Sequence, residues 1–280
     1  MTRFHPGCLA LALLLACIVP LCACAQVRLG PPRADPGQQI PRVDTFLILA
    51  VDVSKSIDPT EKRFQRTTYA NVLRMPEIAA AMTAGRHGTV MIAYFEWSGS
   101  SHADLVVHPT IIEDRLDLLE VAQRIADPLN RRTPRGRNTT AIGAALHFAG
   151  SLVEQTAVRP DHIVIDVSGD GPQNDGRSLD KVRQSLVARG LVINGLPLLY
   201  VGGEDTHVDL DSYYDVCVRG GWGSFSLPVR AQEDLHAALK RKILLEIAGR
   251  MPPETQGTVV PARAYDISCA PSPDIFQRGR

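Results

Sequence analysis

Apolar and polar positions change their period several times along the chain, and each change marks an element. A continuous apolar run at 46–51 predicts a buried strand over 45–53, and Pro59, near a first helical position, opens a helix to about 73. Strands rich in β-branched and aromatic residues are predicted at 89–97 and 105–112. A helix follows the second of these, with Leu116, Leu119, Val121 and Ile125 at near-helical spacing. An alanine- and leucine-rich helix is expected at 139–153, a short strand at 162–167, a helix at 177–188 and a strand at 192–201. A last strand at 224–229 and an amphipathic helix at 233–248 complete the pattern. Strands alternating with helices predict an α/β fold, a Rossmann-like, doubly wound, mostly parallel sheet with helices on both faces. Right-handed crossovers then bring the loops after parallel strands to one edge.

The two ends fall outside this pattern. Arg3, the apolar stretch at 8–21 and the small residues Ala23-Cys24-Ala25 read as a signal peptide over 1–25, cleaved after Ala25. The run is short for a membrane span and Pro20 interrupts it. Leu21-Cys22-Ala23-Cys24 offers an alternative, a lipoprotein anchored through Cys24. Residues 26–42 carry four prolines and two glycines and read as a linker, 43–249 as the folded domain, and the proline-broken 250–280 as a tail. The expected location is therefore exported, periplasmic or secreted.

Composition narrows the function. Thirty basic and thirty acidic residues cancel, and aromatic content is only 5%, so neither an electrostatic footprint nor a stacking platform for nucleic acid is present. Of six cysteines, Cys8, Cys17, Cys22 and Cys24 lie in the leader. Cys217 and Cys269 remain as an even pair, predicted to bridge in an oxidising compartment. A buried free Cys217 with Cys269 in a disordered tail is the alternative.

The candidate chemistry lies where the first strand ends. Asp52, Ser54 and Ser56 occupy alternate positions and so point the same way in an extended segment. Thr140 and Asp170 stand where later crossovers return to the same edge, the edge at which open α/β sheets bind ligands. Two carboxylates and three hydroxyls are hard oxygen donors suited to Mg²⁺ or Mn²⁺.

These residues, as Asp52-Val-Ser54-Lys-Ser56, Thr140-Ala-Ile-Gly-Ala-Ala-Leu146 and Ser168-Gly-Asp170-Gly171, resemble a von Willebrand factor A domain with a complete metal-ion-dependent adhesion site. Tyr94-Phe-Glu-Trp-Ser98 and Lys240-Arg-Lys-Ile-Leu-Leu-Glu-Ile-Ala-Gly249 are similar to an exported bacterial branch of that superfamily, and the resemblance covers about residues 43–249. It implies that Asp52, Ser54 and Ser56 ligate the metal and that Thr140 and Asp170 do so directly or through water. It also implies a non-enzymatic, cation-dependent protein-binding module whose partner presents an Asp or Glu.

Other readings compete. The serines would serve equally as helix caps before Pro59, and Asp170 as a turn residue beside Gly171. A metal-dependent hydrolase using the same cation is the functional alternative. No histidine pair has metal-ligand spacing, and neither a P-loop nor a G-x-G-x-x-G follows the first strand. Arg131, Arg132, Arg135 and Arg137 form a basic loop ahead of Thr140 that reads as solvated or as a lure for an acidic ligand.

Overall fold

β1 (Arg42–Asp52) is the middle strand of the sheet, and its alternation builds both cores. Leu47, Leu49 and Val51 face one layer, where they pack with Tyr69, Leu73, Val121, Leu239 and Ile243. Phe46, Ile48 and Ala50 face the other, against Ile142, Leu146, Leu186 and Tyr214. A strand buried on both faces reads as an unbroken apolar run, which is why 46–51 shows no polar alternation. The computed structural model describes residues 40–130, 139–201 and 209–249, with Ile267 and Cys269.

Among the described residues the elements run β1, α1 (Pro59–Leu73), α2 (Pro76–Met82), β2 (Val90–Trp97), β3 (Ala103–Ile112), α3 (Arg115–Ala126) and α4 (Ile142–Gln155). β4 (Arg159–Gly169), α5 (Leu179–Ala188), β5 (Val192–Pro197), α6 (Leu210–Tyr213) and α7 (Leu235–Ile247) follow. The sheet order is β3-β2-β1-β4-β5. β1 pairs in parallel with β2 and β4, β4 pairs in parallel with β5, and β3 alone runs antiparallel, on β2. This is the doubly wound, mostly parallel sheet expected, and it sends the loops after β1 and β4 to one edge. No helix among the described residues is long and apolar enough to cross a membrane.

Several elements differ from their sequence signals. The stretch at 224–229 forms no full strand. It makes only single bridges, Ser226 with Gly195 of β5 and Val229 with Leu198, just past the end of β5 at Pro197. The helix expected from 139 begins at Ile142, since Ala141 N bonds to Ser98 O and holds 139–141 as a loop. α2 carries no long-period signal because it has seven residues, though Pro76 opens it and Ile78, Ala79 and Met82 bury its face. α6 continues into a π-helical turn, Tyr214–Val218, whose period is not that of an α-helix.

Candidate metal centre at the carboxyl edge of the sheet

Local structure leaves the two serines free for other work. α1 is capped by Asp58, whose carboxylate accepts from Thr60 N at 2.6 Å and Glu61 N at 3.1 Å, with Pro59 following. The helix therefore has no need of Ser54 or Ser56, and the capping explanation of those residues is corrected. Val53 N bonds to Trp97 O at 2.8 Å, so the chain leaving β1 stays pinned to the end of β2.

A continuous hydrogen-bonded chain runs through the predicted residues. Ser54 N donates to Asp52 Oδ1 at 2.7 Å. Ser54 Oγ lies 3.1 Å from Ser56 Oγ, and Ser56 Oγ donates to Asp170 Oδ1 at 3.0 Å. Asp52 and Ser54 are each 1% exposed and Asp170 3%, whereas Ser56 faces solvent. The cluster is thus buried except at Ser56.

Thr140 reaches the same place by another route. Its N–H donates to Asn174 Oδ1 at 2.9 Å, and its carbonyl accepts from Asn174 N at 2.9 Å and Asp175 N at 3.3 Å. These bonds lay the loop before α4 against the loop after β4. The Thr140 hydroxyl comes within 3.9 Å of where a Cβ on Gly171 would stand. All five predicted residues therefore meet at one edge. The basic residues Arg131, Arg132, Arg135 and Arg137 lie outside the described residues.

The electrostatics are those of two buried like charges. Burial, reinforced by the charge of Asp170, pushes the Asp52 carboxyl well above the usual carboxylate range. Burial raises Asp170 as well, against the hydrogen bond from Ser56 that favours its charged form. One oxygen of each, Asp52 Oδ2 and Asp170 Oδ2, is buried and has no hydrogen-bond partner. Buried acceptors are ordinarily paired. Two adjacent carboxylates that each keep an unpaired oxygen, with hydroxyls between them, fit a hard divalent cation.

A second acidic cluster shows the contrast. Asp44, His87 and Asp161 come together at the opposite edge of the sheet. There Asp44 accepts from His87 N at 2.9 Å and Thr89 N at 3.3 Å. Asp161 binds Arg42 through one oxygen and His87 Nε2, at 2.9 Å, through the other. Arg42, then His87, hold the Asp161 carboxyl below its usual range. Every carboxylate oxygen has a protein partner, so this cluster closes on itself.

Sequence reasoning missed the groups that hold the loops together. Asp175 Oδ2 accepts from Thr139 Oγ1 at 2.8 Å and Ser100 N at 3.2 Å, joining three loops. Its signal was the turn Asn174-Asp175-Gly176, whose glycine has φ +85°. Tyr214 was missed too. Its phenol oxygen is buried beside Gly169, the glycine that Asp52 Oδ2 also faces, and nothing local in the sequence marks it.

A family profile described as "Protein of unknown function (DUF1194)" matches residues 42–251. The chain belongs to that family. Among solved structures, this DUF1194 protein is similar to proximal thread matrix protein 1 from the mussel byssus, with 16% identity, 74% of this chain and 47% of that chain covered, and a TM-score of 0.51. It is similar to the pilus adhesin SpaC from Lactobacillus rhamnosus GG, with 10% identity, 76% and 31% covered, and a TM-score of 0.52. A von Willebrand factor type A structure from Catenulispora acidiphila matches at 14% identity, covering 73% and 43%, with a TM-score of 0.49. The DUF1194 chain spans under half the length of each of these structures. At such identities the likeness is one of fold alone. Comparison with curated proteins finds no match.

Proposed function

We propose that this DUF1194 protein is a divalent-cation-dependent, adhesion-type binding module, acting after export at the cell envelope or outside it, through a domain spanning residues 43–249. Asp52, Ser54, Ser56, Thr140 and Asp170 would hold the cation, Mg²⁺ or Mn²⁺, directly or through water. The observation that carries this reading is the pair of buried, partnerless oxygens on Asp52 and Asp170, joined through Ser54 and Ser56.

The cation would supply a Lewis-acidic point at the open side of the cluster. Two aspartates balance its two charges, so a further anion binds without a charge penalty from the protein. A carboxylate on a protein partner fits that need, and the exposure of Ser56 leaves the approach clear. The fold is shared with a protein named as a pilus adhesin and with a byssal matrix protein, which supports binding over catalysis.

Calorimetry on the mature protein tests the reading. Mg²⁺ or Mn²⁺ should bind the wild type and should not bind Asp52→Ala, whose circular dichroism stays unchanged. Capture of envelope proteins should then require the cation and be abolished by chelator. An unaltered cation affinity in Asp52→Ala would overturn the assignment, and a cation-dependent esterase or phosphatase activity would favour the hydrolase.

A further inference from the structure

Tyr214 belongs to no motif, yet its side chain reaches the metal edge from the core layer that β1 shares with α4 and α5. It sits in the π-helical turn after α6, fully buried, with its ring against β5, where a Cβ on Gly195 would come within 2.7 Å of Tyr214 Cδ1. Its hydroxyl lies beneath the end of β4. A Cβ on Gly169 would stand 2.7 Å from Tyr214 Oη and 3.1 Å from Asp52 Oδ2. Only a glycine at 169 leaves phenol and carboxylate facing the same small space. Both oxygens are buried, and neither has a hydrogen-bond partner.

The neighbouring residues hold this arrangement. Tyr213 Oη accepts from Gln173 N at 3.1 Å, so the same turn also grips the loop after β4. Three residues past Tyr214, Cys217 is bridged to Cys269 with a Cα–Cα distance of 5.4 Å. The bridge ties the turn to a distant segment of chain, and Ile267 and Cys269 pack on the same core as Tyr214. A phenol whose oxygen bonds to nothing gains nothing over phenylalanine in packing. Its position beside an equally unpaired metal-site oxygen gives the hydroxyl a use.

Resting on the metal reading above, we propose that Tyr214 is a positioning residue for that site. With the cation bound, its O–H would turn to donate to Asp52 Oδ2 and fix the carboxylate's rotation, and the Cys217–Cys269 bridge keeps the phenol in place. Ser54 N already restrains the other oxygen, Oδ1, so the cation-bound carboxylate would be held at both ends. Partners of metal ligands typically change metal affinity by about 10–100-fold when removed.

The test uses mature, oxidised protein, with Mg²⁺ and Mn²⁺ as the probes. Tyr214→Phe keeps the ring and removes only the oxygen. It should bind Mg²⁺ about tenfold more weakly, with an altered Mn²⁺ electron paramagnetic resonance spectrum. Its cation-free melting temperature should not fall, whereas a purely structural tyrosine would give the reverse. Reduction of the disulfide should weaken Mg²⁺ binding in wild type and have no further effect in Tyr214→Phe. Wild-type affinity in Tyr214→Phe overturns the positioning role while leaving the metal site standing. Equal weakening of both proteins on reduction overturns the link from bridge to phenol. Absence of Mg²⁺ and Mn²⁺ binding in wild type defeats the metal reading itself, and this inference with it.

Discussion

Ser56 Oγ donates to Asp170 Oδ1 at 3.0 Å across a sequence separation of 114 residues. That bond joins the loop after β1 to the loop after β4, and through Ser54 it reaches Asp52. An exposed hydroxyl is thereby committed to a buried carboxylate. The behaviour of the site should follow from the charge this contact gathers.

Ser56→Ala removes the bridging hydroxyl from the solvent side of the cluster. Mg²⁺ affinity measured by calorimetry should fall by about tenfold, the lower end for a lost partner at a metal site. Because Ser56 is exposed, cation-free stability should stay within about 0.5 kcal/mol of wild type. A variant that unfolds without retaining measurable affinity would mark Ser56 as structural.

Asp170→Asn should separate repulsion from ligation. The amide keeps an acceptor for Ser56 and removes one of two buried like charges. The cation-free protein should therefore melt higher, by about 2–4 °C for each kcal/mol gained. Mg²⁺ at a hundred times its dissociation constant should stabilise wild type by about 2.7 kcal/mol and should leave the variant unmoved. Scanning calorimetry with chelator and with Mg²⁺ reads both effects.

A buried network on the opposite side of β4 gives the molecule a pH dependence. Lys242 Nζ, fully buried on α7, binds Asp166 Oδ1 at 2.7 Å and also binds Glu246, which accepts from Asn194 Nδ2 at 2.9 Å. One ammonium faces two carboxylates. Burial, then the charge of Asp166, pushes Glu246 from 4.5 up to about 7. The folded protein therefore holds a proton that the unfolded chain releases near 4.5. This contribution to stability is complete below that value and is lost as the pH rises through about 7. Denaturant melts should weaken over that window in wild type, and Glu246→Gln should flatten the profile. The same slope in both proteins would place the proton elsewhere.

The Cys217–Cys269 bridge closes a sequence separation of 52 residues. Chain entropy sets its contribution at about 4 kcal/mol. Cys217→Ala/Cys269→Ala should lower the denaturant midpoint without altering the far-ultraviolet spectrum. Non-reducing peptide mapping of exported protein should recover the linked pair. Two alkylatable thiols in that material would count against it.

The sequence alone determined the parallel α/β layout, because strands buried on both faces leave continuous apolar runs and helices leave a different period. It marked the five oxygen-bearing residues too, since their order and spacing are local properties: Asp52, Ser54 and Ser56 alternate on one extended segment, and Thr140 and Asp170 each sit beside an element end. Tertiary structure alone decided that these loops meet, through the bonds from Ser56 to Asp170 and from Thr140 to Asn174. It placed Tyr214 and Asp52 beside the same glycine, Gly169, a juxtaposition of residues far apart in the chain that no periodicity encodes. It set the end of β5 at Pro197 and the start of α4 at Ile142, where pairing across the sheet edge competes with local propensity. The buried Lys242 network was equally invisible, because a lysine four residues before a glutamate on a helix reads as a surface pair. Only the packing of α7 against β4 and β5 takes those charges out of water.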